Sequence, residues 1–451
     1  MSIKISIIGA GSAVFSLGMI KDICLTPNLQ GSVISFMDID PDRLDSAFEL
    51  CQRYADEIGI NLKLEKTLNR RESLKNADFV INTALPGGHQ RLRDGWSVAM
   101  NNNYHFGGSL HILHDECFWI NFYQFRLMES ILLDMMELCP DAWYLLVANP
   151  VLAGVTYLQR KYPKAKIIGL CHGYAGIFKI AEVLGLDKTK ITYELPGLNH
   201  FIWLTNFNYE GKNAFPLLDQ WIEDKAEAYW QTCSYSDALG PKAVDLYKRY
   251  GAFPIGDTGN PGGGSWGNWY HSDSETEKKW KEDPYKWYYD DYFVNCEKTV
   301  KEMSLMSKDK SIKLLEKYPP KHSDEQMIPI IESISCDIPR VFIVNILNSR
   351  NFVPGIPLDF EVETPALVSS RGVQGIQTNG LPEPLLQYAM RDRVAPVEIE
   401  LEAFITGNGQ RLLDLIMMDP WNKSEEQARN LLKEILALPY HNEMRKHYKI
   451  K

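Results

Sequence analysis

Ile3-Lys4-Ile5-Ser6-Ile7-Ile8 is a short β-prone run that leads into Gly9-Ala10-Gly11-Ser12, and an apolar helical pattern follows at Phe15, Met19, Ile20 and Ile23. A second run, Val33-Ile34-Ser35-Phe36-Met37, ends in Asp38-Ile39-Asp40. Strand, glycine turn, helix, strand and acid in that order constrain the fold more than any other feature, because they open a parallel dinucleotide-binding unit. Glycines permit the tight turn and let backbone N–H groups approach a pyrophosphate at the positive end of a helix. An acid after the second strand takes the ribose hydroxyls and repels a 2′-phosphate, so NAD is expected rather than NADP. Gly9, Gly11, Ser12 and Asp38 are the expected cofactor-binding residues. Val14 stands where a third glycine is usual, so the fingerprint is partial. The plainer reading of Asp38 is a cap on the helix starting at Pro41.

The alternation continues. A polar amphipathic helix from Pro41 to about Ile58 precedes a short strand near Leu62 to Leu64. Ala77-Asp78-Phe79-Val80-Ile81-Asn82 is the next strand and runs into the glycine-rich Thr83-Ala84-Leu85-Pro86-Gly87-Gly88-His89. Gly88 is expected over the nicotinamide end of the cofactor. A helix from Phe118 to Leu138 precedes the strand Trp143 to Val147, which ends in Ala148-Asn149-Pro150. A helix from Val151 to Tyr162 returns to Lys166-Ile167-Ile168, followed by Gly169-Leu170-Cys171-His172-Gly173. Gly11, Gly88, Asn149 and Cys171 thus all follow carboxyl ends of predicted strands, where open α/β sheets bind ligands. The expected class is α/β: a Rossmann-like doubly wound parallel sheet over residues 1–195, then an α+β domain over 196–451.

Beyond about residue 195 the rhythm breaks. His200 to Phe207 alternates like an antiparallel strand, with Glu210-Gly211 as its turn. Helices are expected over Trp221 to Trp230, Tyr292 to Met306 and Ser424 to Leu438. Strands are expected over Phe342 to Ile346 and Val397 to Leu401. Charge-rich Lys308 to Lys321 reads as a solvated face. Aromatics are densest between Trp266 and Tyr292, where they could line a carbohydrate site or fill a core. A net charge of -10 with no clustered Lys/Arg stripe argues against nucleic acid. No apolar run approaches the roughly 20 residues a membrane span needs. The eight cysteines have no CxxC spacing, and the N-terminus has no signal-peptide layout, so a reduced, cytoplasmic setting is expected.

Cys171 and His200, the latter closing Gly197-Leu198-Asn199-His200, could hold a divalent metal with positions left open for substrate. Taken singly they read as an inert thiol and a core histidine. Taken with Gly9-Ala10-Gly11-Ser12, Asp38, Asn149-Pro150 and Cys171-His172-Gly173, the pattern resembles glycoside hydrolase family 4, the NAD- and Mn-dependent glycosidases related to lactate and malate dehydrogenases. Asn379-Gly380-Leu381-Pro382 is similar to a further family element. Gly173 resembles the uronate-processing members, and Tyr250 to Asp257 with Gly262-Gly263-Gly264-Ser265-Trp266 looks closest to the α-galacturonidases. The chain departs from the family after Gly107-Gly108, where His114-Asp115-Glu116-Cys117 replaces an acidic-Thr-x-Gly-Pro-Gly-Gly run.

The resemblance implies redox-assisted elimination, the stated exception to two-carboxylate glycoside hydrolysis. NAD⁺ oxidises C3 of the sugar, a base takes the acidified C2 proton, the C1 oxygen leaves, water adds, and C3 is reduced again. Mn²⁺ on Cys171 and His200 would act as Lewis acid on the C2 and C3 oxygens. Asp257 is the expected base, with Tyr270 second and a plain turn aspartate as the bland alternative. Asp115 or His172 would protonate the leaving group, Asn149 would bind both cofactor and sugar, and His172 and Asn199 would touch the sugar. A uronate carboxylate needs a cation, for which Arg91, Arg93 and Arg371 are candidates. The resemblance implies an α-galacturonidase, an α-glucuronidase being the alternative, working as a homodimer or homotetramer on a small carbohydrate. A 2-hydroxy acid dehydrogenase of this fold lacks its Arg and Asp/His arrangement here. A non-catalytic NAD-binding regulator is the third reading.

Overall fold

The computed structural model describes residues 2–450, with side chains at all of these except 13, 14 and 261–265. The expected Gly262-Gly263-Gly264-Ser265 similarity therefore falls outside the described side chains. Six parallel strands lie in the order β3 (Lys63–Thr67), β2 (Val33–Met37), β1 (Lys4–Ile8), β4 (Phe79–Asn82), β5 (Trp143–Leu146), β6 (Ile167–Gly169). Strand order reverses between β1 and β4, and a crevice opens at the carboxyl ends there. Helices α1 (Ala13–Cys24), α2 (Pro41–Ile58), α3 (Gly88–Asn101), α4 (Phe118–Leu138) and α5 (Val151–Lys161) connect them. The central strands are buried on both faces, as a parallel sheet between helices requires.

The sheet does not stop at β6. The second half supplies β7 (Ile191–Glu194), β8 (Gly197–Leu198), β9 (Phe201–Leu204), β10 (Asn206–Tyr209), β11 (Lys212–Asn213), β12 (Phe253–Ile255), β13 (Arg340–Leu347), β14 (Glu361–Ser369) and β15 (Gly372–Gly375). β13 joins β6 antiparallel at Asn345 opposite Gly169, and the order continues β14, β8, β9, β12, with β15 on β14. Gly169 makes the junction possible, since a Cβ there would lie 2.5 Å from Val151 Cγ1 and 2.8 Å from Asn345 Cβ. One apolar core runs from Ile7 through Leu145 to Val344 and Val362. No described helix is long and apolar enough to cross a membrane.

Several second-half expectations need correction. Val397 to Leu401 is not a strand but part of a helix, Ala395–Thr406. Its apparent period of two arises because Glu400, polar in sequence, is buried against Asn121, while Val397 and Leu401 share a face four residues apart. His200 to Phe207 is not one alternating strand. β9 is buried throughout in the large sheet, and β10 pairs with β7 in a separate sheet. Trp221 to Trp230 spans two helices that meet at Lys225. Trp266, Tyr270 and Tyr288 are buried, so much of the aromatic segment fills core.

Candidate active site

The glycine turn is built as its sequence suggests. Gly9 has φ +90°, and a Cβ there would lie 2.7 Å from the Ala84 nitrogen, so the residue is small for two reasons. Gly11 donates its N–H to Asp38 Oδ2 at 2.8 Å, and a Cβ would lie 2.7 Å from that oxygen. Asp38 is not the helix cap, because Asp40 accepts from the Asp42 and Arg43 nitrogens. A cavity of about 990 Å³ opens beside this turn, lined by Gly11, Ser12, Arg43, His89, Trp287 and Tyr292 among others. Its far wall is the helix Phe293–Lys308, entered through a π-helical turn at Trp287–Tyr292. Glycine at the crossing, a carboxylate one bond beyond and aromatic walls fit an adenine dinucleotide.

Across the crevice, Cys171 Sγ, a His200 ring nitrogen and an Asp257 carboxylate oxygen lie within 4.8 Å of one another. Cys171 follows β6, His200 ends the two-residue turn between β8 and β9, and Asp257 is the second residue of the 3₁₀ turn Gly256–Gly259 after β12. His200 holds a left-handed backbone, φ +59°, an unfavourable place for a residue with a Cβ. The conformation turns its ring two ways: Nδ1 is 3.0 Å from Glu116 Oε1, and Nε2 is 3.3 Å from Asp257 Oδ2. Burial works against protonation of His200, but Asp257, the Cys171 thiol and Glu116 outweigh it and raise its pKa well above the usual value. Burial raises the Cys171 pKa, with His200 opposing. A soft sulfur, an imidazole and a carboxylate converging with the second imidazole nitrogen already engaged fit a divalent transition metal. Asp257 enters this set as a third donor, which its sequence context did not indicate.

Beneath the cluster lie more carboxylates. Glu361 and Glu363, two apart on β14, are wholly buried. Asn199 donates to Glu363 Oε2 at 3.2 Å, and the Asn345 amide lies 2.6 Å from Glu361 Oε1 and 3.2 Å from Glu363 Oε2. Burial pushes the Glu363 pKa up to about 7, and burial with the Glu363 charge raises Glu361 well above the ordinary range. Asn199, expected at the sugar, is instead buried and tied to this layer.

The two proton-donor candidates separate by environment. Asp115 is 2.7 Å from His114 Nδ1 and accepts from Asn149 Nδ2 at 2.9 Å. Burial opposes ionisation, but the His114 and His200 charges and the hydrogen bonds from His114 and Asn149 hold its pKa well below the carboxylate range. His172 is exposed, 56% for its side chain, and its Nδ1 is 3.2 Å from Glu325 Oε1. That hydrogen bond, against partial burial, raises its pKa. His172, Cys171 and Asp257 share the rim of an open cavity of about 750 Å³.

Other expected residues lie elsewhere. Tyr270 is buried and donates to Asp245 Oδ2 at 2.6 Å, so it is no base for this cluster. Arg91 packs over Tyr123 and Tyr440, Arg93 over Phe293 beside Glu297, and Arg371 sits at the β14–β15 turn, none of them on the Cys171 cavity. Gly88 begins α3 at φ +63°, and its neighbour His89 faces the nucleotide-side cavity. Sequence reasoning missed Tyr288. It is buried in the π-helical turn, its hydroxyl has no hydrogen-bond partner among the described residues, and burial and the charges of Asp115, Asp257 and Glu116 raise its pKa. Only the fold brings it beside these acids. Nothing in the run His114-Asp115-Glu116-Cys117 marks Glu116, which only the fold sets against His200.

Residues 4–186 match the model described as family 4 glycosyl hydrolase, and residues 195–422 match that of the family's C-terminal domain. Over 452 residues, 95% of each chain, the sequence is 24% identical to an α-galactosidase of Bacillus subtilis. Over 466 residues, covering 96% of this chain and 95% of the relative, it is 24% identical to an α-galacturonidase of Lachnoclostridium phytofermentans. In fold it is similar to a 6-phospho-α-glucosidase from gut microorganisms in complex with NAD and Mn²⁺, with TM-score 0.79, 18% identity and 97% and 98% of the two chains covered. A lactate dehydrogenase of Eimeria maxima shares the fold more distantly, with TM-score 0.54, 14% identity and 90% and 98% covered.

Proposed function

Because the chain belongs to glycosyl hydrolase family 4, we propose that it cleaves α-linked hexuronides, α-galacturonides of pectin fragments foremost, with NAD and Mn²⁺ as cofactors. The observation that carries this reading is the Cys171–His200–Asp257 donor cluster on the rim of an open cavity, across the crevice from a nucleotide-type glycine turn. The uronide preference is supported by the likeness to an α-galacturonidase along nearly the whole chain and by Gly173 after Cys171-His172. Residues 1–195 would hold the nucleotide, and residues 196–451 would complete the metal and sugar site.

When bound, NAD supplies a reversible two-electron acceptor for C3 and Mn²⁺ a Lewis acid for the C2 and C3 oxygens. The chain's own groups do the rest. Cys171 and His200 would hold the ion, with Glu116 Oε1, 3.0 Å from His200 Nδ1, placed to orient the imidazole. Asp257 takes the C2 proton, its other oxygen being oriented by Asn260 Nδ2 at 3.1 Å. Acid and acceptor roles divide by pKa. His172, raised by Glu325, gives a proton to the departing C1 oxygen, while Asp115, held ionised, accepts hydrogen bonds and fixes Asn149 against the sugar. The buried Tyr288 hydroxyl would donate to a sugar oxygen.

Uronic acid release from α-1,4-digalacturonate tests the reading, with NAD⁺, Mn²⁺ and dithiothreitol present and each then omitted. Release that requires NAD⁺ and Mn²⁺ is expected. Undiminished release after both are stripped would contradict it, and release only from an α-glucuronide would move the substrate within the same chemistry.

A further inference from the structure

Arg393 is fully buried and takes no part in the chemistry proposed for the site. It lies in a π-helical turn, Met390–Val394, that leads into the helix Ala395–Thr406. Such turns are rare and gather at functional sites. The other π-helical turn among the described residues carries Tyr288 into the field of Glu116 and its neighbouring acids. Burying a guanidinium is costly unless it is paired and hydrogen-bonded, so its partners show what it is for. Nη1 donates locally, to the Asp392 carbonyl oxygen at 3.1 Å. Nη2 reaches the carbonyl oxygen of His200, 193 residues away in sequence, at 3.5 Å. The guanidinium also lies over the Phe201 ring, 5.4 Å from its centre. Burial pulls its pKa down to about 10 against the charges of Asp392 and Glu116, so it remains a cation at neutral pH. The Asp392 carboxylate is held on the exposed side by Arg391, at 2.7 and 2.8 Å. Glu116, itself buried, is the interior charge that balances Arg393.

These contacts converge on one residue. His200 keeps a left-handed backbone, φ +59°, and such strain survives only where the surroundings over-determine it. Glu116 Oε1, 3.0 Å from Nδ1, holds the ring. Arg393 holds the main chain, at the His200 carbonyl and through the ring of the next residue. We propose that Arg393 is a positioning residue for the metal ligand His200, fixing its carbonyl and balancing the Glu116 charge that orients its imidazole. The inference rests on the reading of Cys171 and His200 as metal donors and deepens it: affinity for the ion is then set in part by a buried cation outside the donor set.

The test is Mn²⁺ binding by the full chain, read from the free-ion paramagnetic resonance signal, with NAD⁺ affinity by calorimetry as the control for folding. Arg393→Met should weaken Mn²⁺ binding about tenfold, the order one charge-assisted hydrogen bond supplies, and leave NAD⁺ binding as in wild type. Arg393→Lys, which keeps the cation and a donor, should recover all but about threefold of that loss. If Arg393→Met does not fold, because it strands the Glu116 charge, a second comparison replaces it. Glu116→Gln/Arg393→Met leaves neither charge buried and should bind Mn²⁺ about tenfold more weakly than Glu116→Gln. Mn²⁺ affinity within about twofold of the parent in these comparisons, or a Lys variant no better than the Met one, would overturn the role. A wild-type chain that binds no Mn²⁺ would instead remove the metal reading, and the positioning role with it.

Discussion

His200 sits at a backbone angle that costs an ordinary side chain about 1–2 kcal/mol, and what the cost secures is an imidazole held between Glu116 and the Cys171–Asp257 pair. If Glu116 sets the ring, Glu116→Gln should weaken Mn²⁺ binding on the order of 10–100-fold, read from the free-ion paramagnetic resonance signal, with NAD affinity unaltered. Unchanged Mn²⁺ affinity would leave Glu116 as a packing residue. His172 is the group whose raised pKa bears on rate. Acid catalysis requires its protonated form, so kcat/KM should fall as pH rises through a value above the ordinary imidazole range. His172→Gln should abolish that alkaline limb and cost least on aryl glycosides, whose leaving groups need no proton; an intact limb would assign it elsewhere. Cys171 and His200 were legible because each follows a strand end in a short glycine-bearing run. Tyr288 was not, since it lies in an aromatic-rich segment and only tertiary placement sets it beside the acids.

At the scale of elements, the first βαβ unit is the proposed nucleotide site, and its geometry is unforgiving. Gly9→Ala would force a Cβ at φ +90° and 2.7 Å from the Ala84 nitrogen; Gly11→Ala would press on Asp38 Oδ2. Each should weaken NAD⁺ binding by about tenfold or more, or 1.4 kcal/mol and upward, measured by calorimetry. Mn²⁺ binding should persist, and an unaltered NAD⁺ affinity would move the nucleotide away from this turn. Of the first half, α2 and α4 start and stop where the sequence places them, whereas the helix at Gly88–Asn101 had no such signal. The second half was less legible, because buried polar residues break the periodicities on which such reading depends. Glu400 made a helix look like a strand, and the buried run of β9 lacks the alternation of a half-exposed one.

Across the whole molecule, one sheet passes from the parallel nucleotide half through β13 and β14 to the hairpin bearing His200. The proposed metal donors thus come from its two halves, and a bound ion is expected to clamp them. Beneath it Glu361 and Glu363 are protonated more readily in the folded chain than in the unfolded one. Below their unfolded pKa both states carry the proton and folding is not penalised. As pH rises from about 4.5 to about 7, the unfolded chain ionises first, and the metal-free protein should lose stability. Glu363→Gln should flatten that fall in denaturant titrations, and an unchanged pH slope would show the carboxyl to be ionised throughout. The claim on which all of this depends is that the glycosidic bond breaks after C2 has lost its proton. Hydrolysis of an α-galacturonide in D₂O, with NAD⁺ and Mn²⁺, tests it by mass and NMR analysis of the released uronic acid. Deuterium at C2 of the released sugar is expected; release at full rate with hydrogen retained at C2 would contradict elimination through a C2 carbanion.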